Sequence, residues 1–208
     1  MIKAVIFDVD GVLLDSFEAN YKFHSDLMAK FGYNPATKEQ YRSLFHNSMK
    51  DNIKVMTKST DEEEIERIWE AGKNQEVSYH DELLTIPKYL KETLELLAKN
   101  YVLGIVTSRV RESVFSSTIL SSLRKYFKAV IAYQDTENHK PHPGPLLLAA
   151  QKLGFMPEEC VYIGDVENDM IAARAAGMKV IIYSKNMLAD ADASTTIFDR
   201  LPEIISKL

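Results

Sequence analysis

Two aspartates one residue apart, Asp8 and Asp10, close the apolar run Ala4-Val5-Ile6-Phe7 and are followed at once by Gly11. A short, β-branched apolar run of this kind suits a strand buried on both faces of a parallel sheet. In open α/β sheets, ligands bind just outside the carboxyl ends of the strands. Both carboxylates are therefore expected where chemistry is done, although an Asp-Gly turn after a strand accounts for this stretch equally well by itself. Other segments decide between the two. The run Tyr101 to Val106 ends in Thr107-Ser108, and Val161-Tyr162-Ile163-Gly164 ends in Asp165, with Asn168 and Asp169 opening the next helix. Lys140 lies in the loop His139-Lys140-Pro141-His142-Pro143. In a parallel sheet all of these meet on one rim, and the carboxylates crowd. Two unit charges about 4 Å apart repel by roughly 4 kcal/mol at an effective dielectric of 20. Such a cluster needs a cation, and an all-oxygen ligand set suits Mg²⁺, which keeps several waters and shares sites with phosphates. Lys140 and the hydroxyls of Thr107 and Ser108 would donate to that phosphate. Aspartate, cation and fixed donors together make a site for phosphoryl transfer, where positioning and charge stabilisation carry most of the catalysis.

The elements that must hold these residues follow from periodicity. Strands are expected at 4–7, 101–106, 129–133, 161–164 and 180–183, alternating with helices at 87–100, 110–123, 143–153, 167–176 and 201–208. That alternation predicts a doubly wound parallel sheet, an α/β core of Rossmann-like type with right-handed crossovers. Between Ser16 and Leu83 the pattern is helical throughout. Ser16 is expected to cap a first helix carrying Phe17, Tyr21, His24, Met28 and Phe31, which Gly32 and Pro35 stop. Thr37 with Gln40 three residues on predicts a capping box. A third helix is expected over 49–56, and a fourth over 59–79, with Asp61, Glu62, Glu63 and Glu64 favoring the positive end of its dipole. The chain therefore divides into a core of residues 1–15 and 84–208 and an inserted all-helical cap of 16–83, with hinges near 14–16 and 83–87.

Bulk properties narrow the class. A chain of 208 residues, 46% hydrophobic and 26% charged, is globular rather than disordered. A net charge of −5 offers no electrostatic footprint for nucleic acid. The lone Cys160 excludes an intrachain disulfide and, within a strand-like run, reads as a small buried apolar residue. No apolar run reaches the ~18 residues of a membrane span, and Asp8 cuts the first run too early for a signal peptide. A cytoplasmic protein without membrane or nucleic-acid partners is the expectation, monomeric or homodimeric. His24 reads as a packed histidine. His139 and His142 lack the further ligands a zinc site would need.

The ordered set Asp8-Val9-Asp10-Gly11-Val12, Thr107, Lys140-Pro141 and Gly164-Asp165-Val166-Glu167-Asn168-Asp169 resembles the four motifs of the haloacid dehalogenase superfamily, in its branch with a helical cap after the first motif. The resemblance implies that Asp8 is the nucleophile forming an aspartyl-phosphate. It implies that Asp10 protonates the leaving group, later activates water, and reaches the metal through its backbone carbonyl. Thr107 and the Ser108 N–H would hold the transferring phosphoryl group, and Lys140 would neutralise it. Asp8, Asp10 and Asp165 would bind Mg²⁺, with Asp169 and Asn168 in support. An acid at Asp10 argues against carbon–halogen chemistry. The last motif is more similar to that of phosphoglycolate-phosphatase-like enzymes than to that of β-phosphoglucomutases, which usually carry a Glu-Asp pair there. The expected activity is hydrolysis of a small phosphorylated metabolite. A phosphomutase, or a non-catalytic phosphometabolite-binding protein on the same fold, is the rival. From the cap, Arg42, His46 and Asn47 are candidate substrate readers, as is Arg109 beside the phosphate-binding pair. The turn at 42–49 lacks the glycine common in the family, so phosphoglycolate is not carried over as substrate.

Overall fold

The computed structural model describes residues 1–185 and 188–208. The chain runs β1 (Ala4–Phe7), then α1 (Phe17–Lys30), α2 (Lys38–Arg42), α3 (Met49–Thr57) and α4 (Glu62–Lys73). Next come α5 (Leu90–Leu97), β2 (Val102–Val106), α6 (Arg111–Val114), α7 (Thr118–Leu123) and β3 (Phe127–Ile131). It closes with α8 (Gly144–Leu153), β4 (Cys160–Gly164), α9 (Glu167–Ala175), β5 (Lys179–Tyr183), β6 (Ala193–Thr195) and α10 (Leu201–Ile205). The sheet order is β3-β2-β1-β4-β5-β6, and every neighbouring pair is parallel.

β1 is the centre of the molecule. All four of its residues are fully buried, and successive side chains serve opposite layers. Val5 and Phe7 pack with Leu90, Leu94, Leu97, Phe198 and Leu201 on one face. Ala4 and Ile6 pack with Leu146, Ala149, Ala172 and Ala173 on the other. Strand order reverses between β1 and β4, because the chain first builds outward through β2 and β3 and then crosses back. A crevice opens at such a switch point, outside the carboxyl ends of the two strands.

The helices α1 to α4 lie between β1 and β2 in sequence and have an apolar cluster of their own, around Phe23, Leu27, Met28, Ile53, Ile65, Ile68 and Trp69. Val110 and Tyr133, from loops after β2 and β3, join it. Thr37 and Gln40 form the expected capping box. Four local expectations are corrected. Ser16 makes no cap bond to α1; its hydroxyl goes to the Asp10 carboxylate instead. The fourth helix ends at Lys73, and Gln75 turns the chain with a φ of 56°. The helix expected over 110–123 is two short ones, broken so that Ser117 can cap the second. β6 is a sixth strand that the sequence reading omits; it is three half-buried residues pairing with β5 at the sheet edge.

Phe7 meets Phe127 edge-on and stacks on Phe198 at centroid separations of 6.2 and 6.3 Å. Phe7→Ala opens a cavity in the central layer and is expected to lower unfolding free energy by about 3–5 kcal/mol. Urea denaturation measures it, and a loss below about 1 kcal/mol contradicts this view of the core.

Candidate active site

The rim above β1 and β4 gathers the polar residues. The Asp8 N–H continues the ladder, donating to the Ile163 carbonyl at 2.9 Å, so the Asp8 side chain is fixed at the point where β1 stops. Gly11 has a φ of +79°, and a Cβ there would lie 2.0 Å from Asp165 Oδ2. Only glycine both makes that turn and leaves the Asp165 carboxylate its space. Gly164, at the end of β4, likewise leaves space for Asp169, whose side chain would be 2.3 Å from a Cβ there. Asp169 is wholly buried. Its Oδ2 accepts the Asp165 N–H at 3.0 Å and the Val166 N–H at 3.3 Å, at the opening of α9.

Lys140 joins the two strand ends. Its Nζ donates to Asp8 Oδ2 at 2.7 Å, Asp169 Oδ1 at 2.7 Å and the Tyr162 hydroxyl at 2.9 Å. These bonds use all three ammonium protons. Burial disfavours its charge, but Asp169 and Asp8 outweigh that and raise its pKa well above the usual value. One ammonium does not neutralise the cluster. Oxygens of Asp8, Asp165 and Asp169 all lie within 4.8 Å of one another. Burial, opposed by Lys140 and reinforced by Asp169, raises the Asp8 carboxyl; burial together with Asp169 and Asp8 raises Asp165. Asp165 Oδ1 is buried with no protein hydrogen-bond partner. Hard oxygen donors, excess negative charge and an orphaned carboxylate oxygen beside a glycine all fit a divalent cation.

Asp10 belongs to a different set of contacts. Arg109, 99 residues away, grips it in fork geometry, Nε to Oδ2 at 2.8 Å and Nη2 to Oδ1 at 2.7 Å. Ser16 and Asn20 also donate to Oδ1. Burial alone would raise the Asp10 carboxyl, but Arg109 and these donors hold it down at about 2. Arg109 Nη2 also donates to the Tyr79 hydroxyl at 3.0 Å, which in turn donates to Asn20 Oδ1 at 2.7 Å. The result is a closed ring, Asp10–Arg109–Tyr79–Asn20, joining the sheet to the helical segment.

A cavity of about 100 Å³ lies between the rim and the helices, bordered by Asp8, Asp10, Lys140 and Asp169 on one side and by His24, Asn52 and Phe45 on the other. The structure brings Asp8, Asp10, Ser108, Arg109, Lys140, Asn168 and Asp169 of the sequence candidates to this cavity, with His46 and Asn47. His46 Nδ1 stands 3.7 Å from Asp165 Oδ2. Thr107 is buried and does not border this cavity; its N–H donates to the Ile131 carbonyl and its hydroxyl accepts the Arg109 N–H. Two candidates are placed differently from expectation. Arg42 is outside the cavity, exposed beside Glu39 and over the Phe17 ring. Arg109 is nine-tenths buried and committed to Asp10 rather than open to a substrate. The Asp10 carboxylate, so engaged, is outside the acidic trio, where Asp169 stands instead. Tyr79, Asn20 and Tyr162 were not singled out in the sequence. Nothing local marks them, since their partners are brought in by the fold. His24, Cys160, His139 and His142 are in no metal cluster among the described residues.

A fold that opens at the β1/β4 switch point onto a buried strand-end aspartate, an ion-paired lysine and a carboxylate trio suits a phosphoryl-transfer class of enzyme. The family model for haloacid dehalogenase-like hydrolases matches residues 5–183, and the chain belongs to that family as a phosphatase-type hydrolase. Among curated proteins it is similar to pyrophosphatase PpaX of Bacillus cereus (strain AH820), 31% identical over 184 residues, covering 88% of this chain and 83% of the relative. Two solved structures are also similar. One is a HAD-superfamily hydrolase, subfamily IA, variant 1, from Geobacter sulfurreducens PCA (29% identity, TM-score 0.70, 98% and 96% of the two chains). The other is a β-phosphoglucomutase from Clostridium difficile (25% identity, TM-score 0.79, 100% and 96%). Among the described residues, no helix is long and apolar enough to cross a membrane.

Two outcomes follow. Gly11→Ala forces the left-handed turn on a residue with a Cβ, costing about 1 kcal/mol or more, and pushes the Asp165 carboxylate aside. Divalent-ion affinity should fall at least tenfold by calorimetry; unchanged affinity contradicts the packing argument. The second concerns the protein stripped with EDTA. Carboxyls raised in the folded state hold protons that the unfolded chain has lost, so stability falls as pH rises above about 4. Thermal unfolding in EDTA should therefore give a lower Tm at pH 8 than at pH 6, and a rising Tm contradicts the burial and repulsion that raise Asp8 and Asp165.

Proposed function

We propose that this chain is a Mg²⁺-dependent phosphatase that hydrolyses a small phosphomonoester through a phosphorylated Asp8. The observation that carries this is the Asp8 carboxylate, held at the end of β1 by the sheet ladder and by Lys140, at the edge of the cavity. A carboxylate oxygen of Asp8 attacks phosphorus, the bond from phosphorus to the leaving oxygen breaks, and an acyl phosphate forms on Asp8. Oδ1 is held by the Val9 N–H at 2.6 Å and Oδ2 by Lys140, so both oxygens are oriented. Lys140 offsets charge on nucleophile and phosphoryl oxygens, and Thr107 with the Ser108 N–H orients them. Asp10 supplies the leaving oxygen's proton and then takes one from the water that cleaves the acyl phosphate, releasing inorganic phosphate. As base it is ready in the arrangement described. As acid it must first loosen its pair with Arg109, for which a substrate oxygen entering beside Asp10 supplies a competing partner, and take up a proton from solvent, which it then passes to the leaving oxygen. Asp8, Asp165 and the Asp10 backbone carbonyl would hold Mg²⁺, which when bound neutralises the trio and polarises the phosphoryl oxygens.

We further read residues 16–83 as a cap over a core of 1–15 and 84–208. Closure of the cap would keep bulk water from the acyl phosphate. The Tyr79 and Asn20 contacts to Arg109 and Asp10 support this reading, because they tie cap position to the acid–base residue. Arg42 has no part in it.

The test is release of inorganic phosphate from a panel of phosphomonoesters and pyrophosphate with Mg²⁺ and with EDTA. At least one compound should give Mg²⁺-dependent release, and Asp8→Asn, nearly isosteric, should lower it at least a thousandfold with the fold retained by circular dichroism. Near wild-type release by the variant removes Asp8 as nucleophile. Interconversion of sugar phosphates without release makes the chain a phosphomutase. Mg²⁺-dependent binding without turnover makes it a binding protein.

A further inference from the structure

The cavity's cations are already spent. Among the described residues, the lysine and arginine side chains that border it are Lys140 and Arg109. Lys140 has given its three protons to Asp8, Asp169 and Tyr162. Arg109 has given two N–H groups to Asp10, and others to the Tyr79 hydroxyl and the Ser113 carbonyl. Its charge is matched by the Asp10 carboxylate. Lys50, nearby on α3, is bound to Glu66 at 2.5 Å, and Arg42 is outside. A leaving group that carried its own carboxylate or second phosphate would therefore enter a cavity with negative charge at its rim and no uncommitted cation to meet it. Burying such a charge unpaired is strongly unfavourable.

The wall contributed by the helices is neutral instead, and it is short of hydrogen bonds. His24 is 7% exposed and Asn52 1% exposed. Both border the cavity, and both carry an orphan: His24 Nε2 and Asn52 Oδ1 are buried with no partner. The state of His24 follows from its other nitrogen. Nδ1 lies 2.8 Å from both the Asn20 carbonyl and the Tyr41 hydroxyl. The carbonyl can only accept whereas the hydroxyl can accept too, so a proton on Nδ1 satisfies both contacts and a bare Nδ1 would face the carbonyl lone pairs. Burial, against that bond, lowers the ring's pKa to about 4, so the imidazole is neutral and Nε2 is a bare acceptor. An unsatisfied buried acceptor is unfavourable, and two in one wall ask for a ligand that donates. Phe23, Phe45 and Met49 add apolar surface beside them.

We propose that the leaving group is an uncharged alcohol bearing further hydroxyl or amide N–H donors, read by His24 Nε2 and Asn52 Oδ1, and that the pocket discriminates against anionic leaving groups. This rests on the phosphatase reading above and adds the class of ester. It sets the chain apart from the activity named for its pyrophosphatase relative, whose leaving group is itself a phosphate.

The experiment compares kcat/KM of the Mg²⁺-loaded protein on five probes. Glycerol 3-phosphate and glucose 6-phosphate have uncharged polyol leaving groups. Phosphoglycolate and pyrophosphate have anionic ones. p-Nitrophenyl phosphate has an activated leaving group without a donor, and reports the hydrolase chemistry alone. The better polyol ester should exceed both anionic compounds by tenfold or more. In Asn52→Leu and His24→Phe, which keep size and shape, the ratio of polyol ester to p-nitrophenyl phosphate should fall about tenfold, as expected for one lost hydrogen bond. If p-nitrophenyl phosphate is hydrolysed but phosphoglycolate or pyrophosphate matches the polyol esters, the inference fails while the phosphatase reading stands. If no probe is hydrolysed, both fall. Equal losses on both esters in folded variants assign His24 and Asn52 to packing and overturn their role. Should either variant not fold, the wild-type comparison decides by itself.

Discussion

Carboxylates that cannot all be charged at once are the constraint on which this structure turns. Asp8, Asp165 and Asp169 are brought within 4.8 Å by two adjacent parallel strands and the helix that follows the second. The sheet leaves them no room to separate: the Asp8 backbone is laddered to β4, and Gly11 and Gly164 let the chain pass so close that a methyl group would collide with the neighbouring aspartates. Lys140 compensates part of the repulsion and is itself held in place by doing so. What remains uncompensated suits a divalent cation. Stability and function are here two aspects of one electrostatic balance.

Asp10 shows how small differences of placement divide labour between like groups. Two residues after Asp8, it faces Arg109, Ser16 and Asn20 rather than the acidic trio. Its charge is therefore favoured where that of Asp8 and Asp165 is disfavoured. In the proposed mechanism, environments that push carboxyl pKa values apart allow one to act as nucleophile and another to carry protons. Because Asn20 and Tyr79 belong to the helical segment, the state of Asp10 is sensitive to where that segment sits.

Much of this was legible in the chain. β1 is recognisable because a strand buried on both faces needs an unbroken apolar run, and Asp8 ends it. Thr37 and Gln40 announce their helix because a capping box is purely local. The residues that stayed hidden depend on partners far away in sequence. Arg109 reads as a candidate substrate reader until the fold sets it against Asp10. Ser16 has the type and position of a helix cap, and a stronger acceptor nearby claims its hydroxyl. β6 is a short, half-buried edge strand with no apolar run to mark it. The 110–123 segment has helical composition throughout, and only the cap at Ser117 shows that the chain prefers to restart there. Arg42 was expected at the substrate because it lies in the right segment, but segment position does not say which way a side chain faces.

The most direct test of the account is a calorimetric titration of Mg²⁺ into metal-stripped protein and into Asp165→Asn, in two buffers of different ionisation enthalpy. The trio predicts one ion per chain, release of protons as the raised carboxyls ionise on binding, and at least a tenfold weaker affinity in the variant. Failure to bind Mg²⁺, or equal binding by the variant, would contradict it.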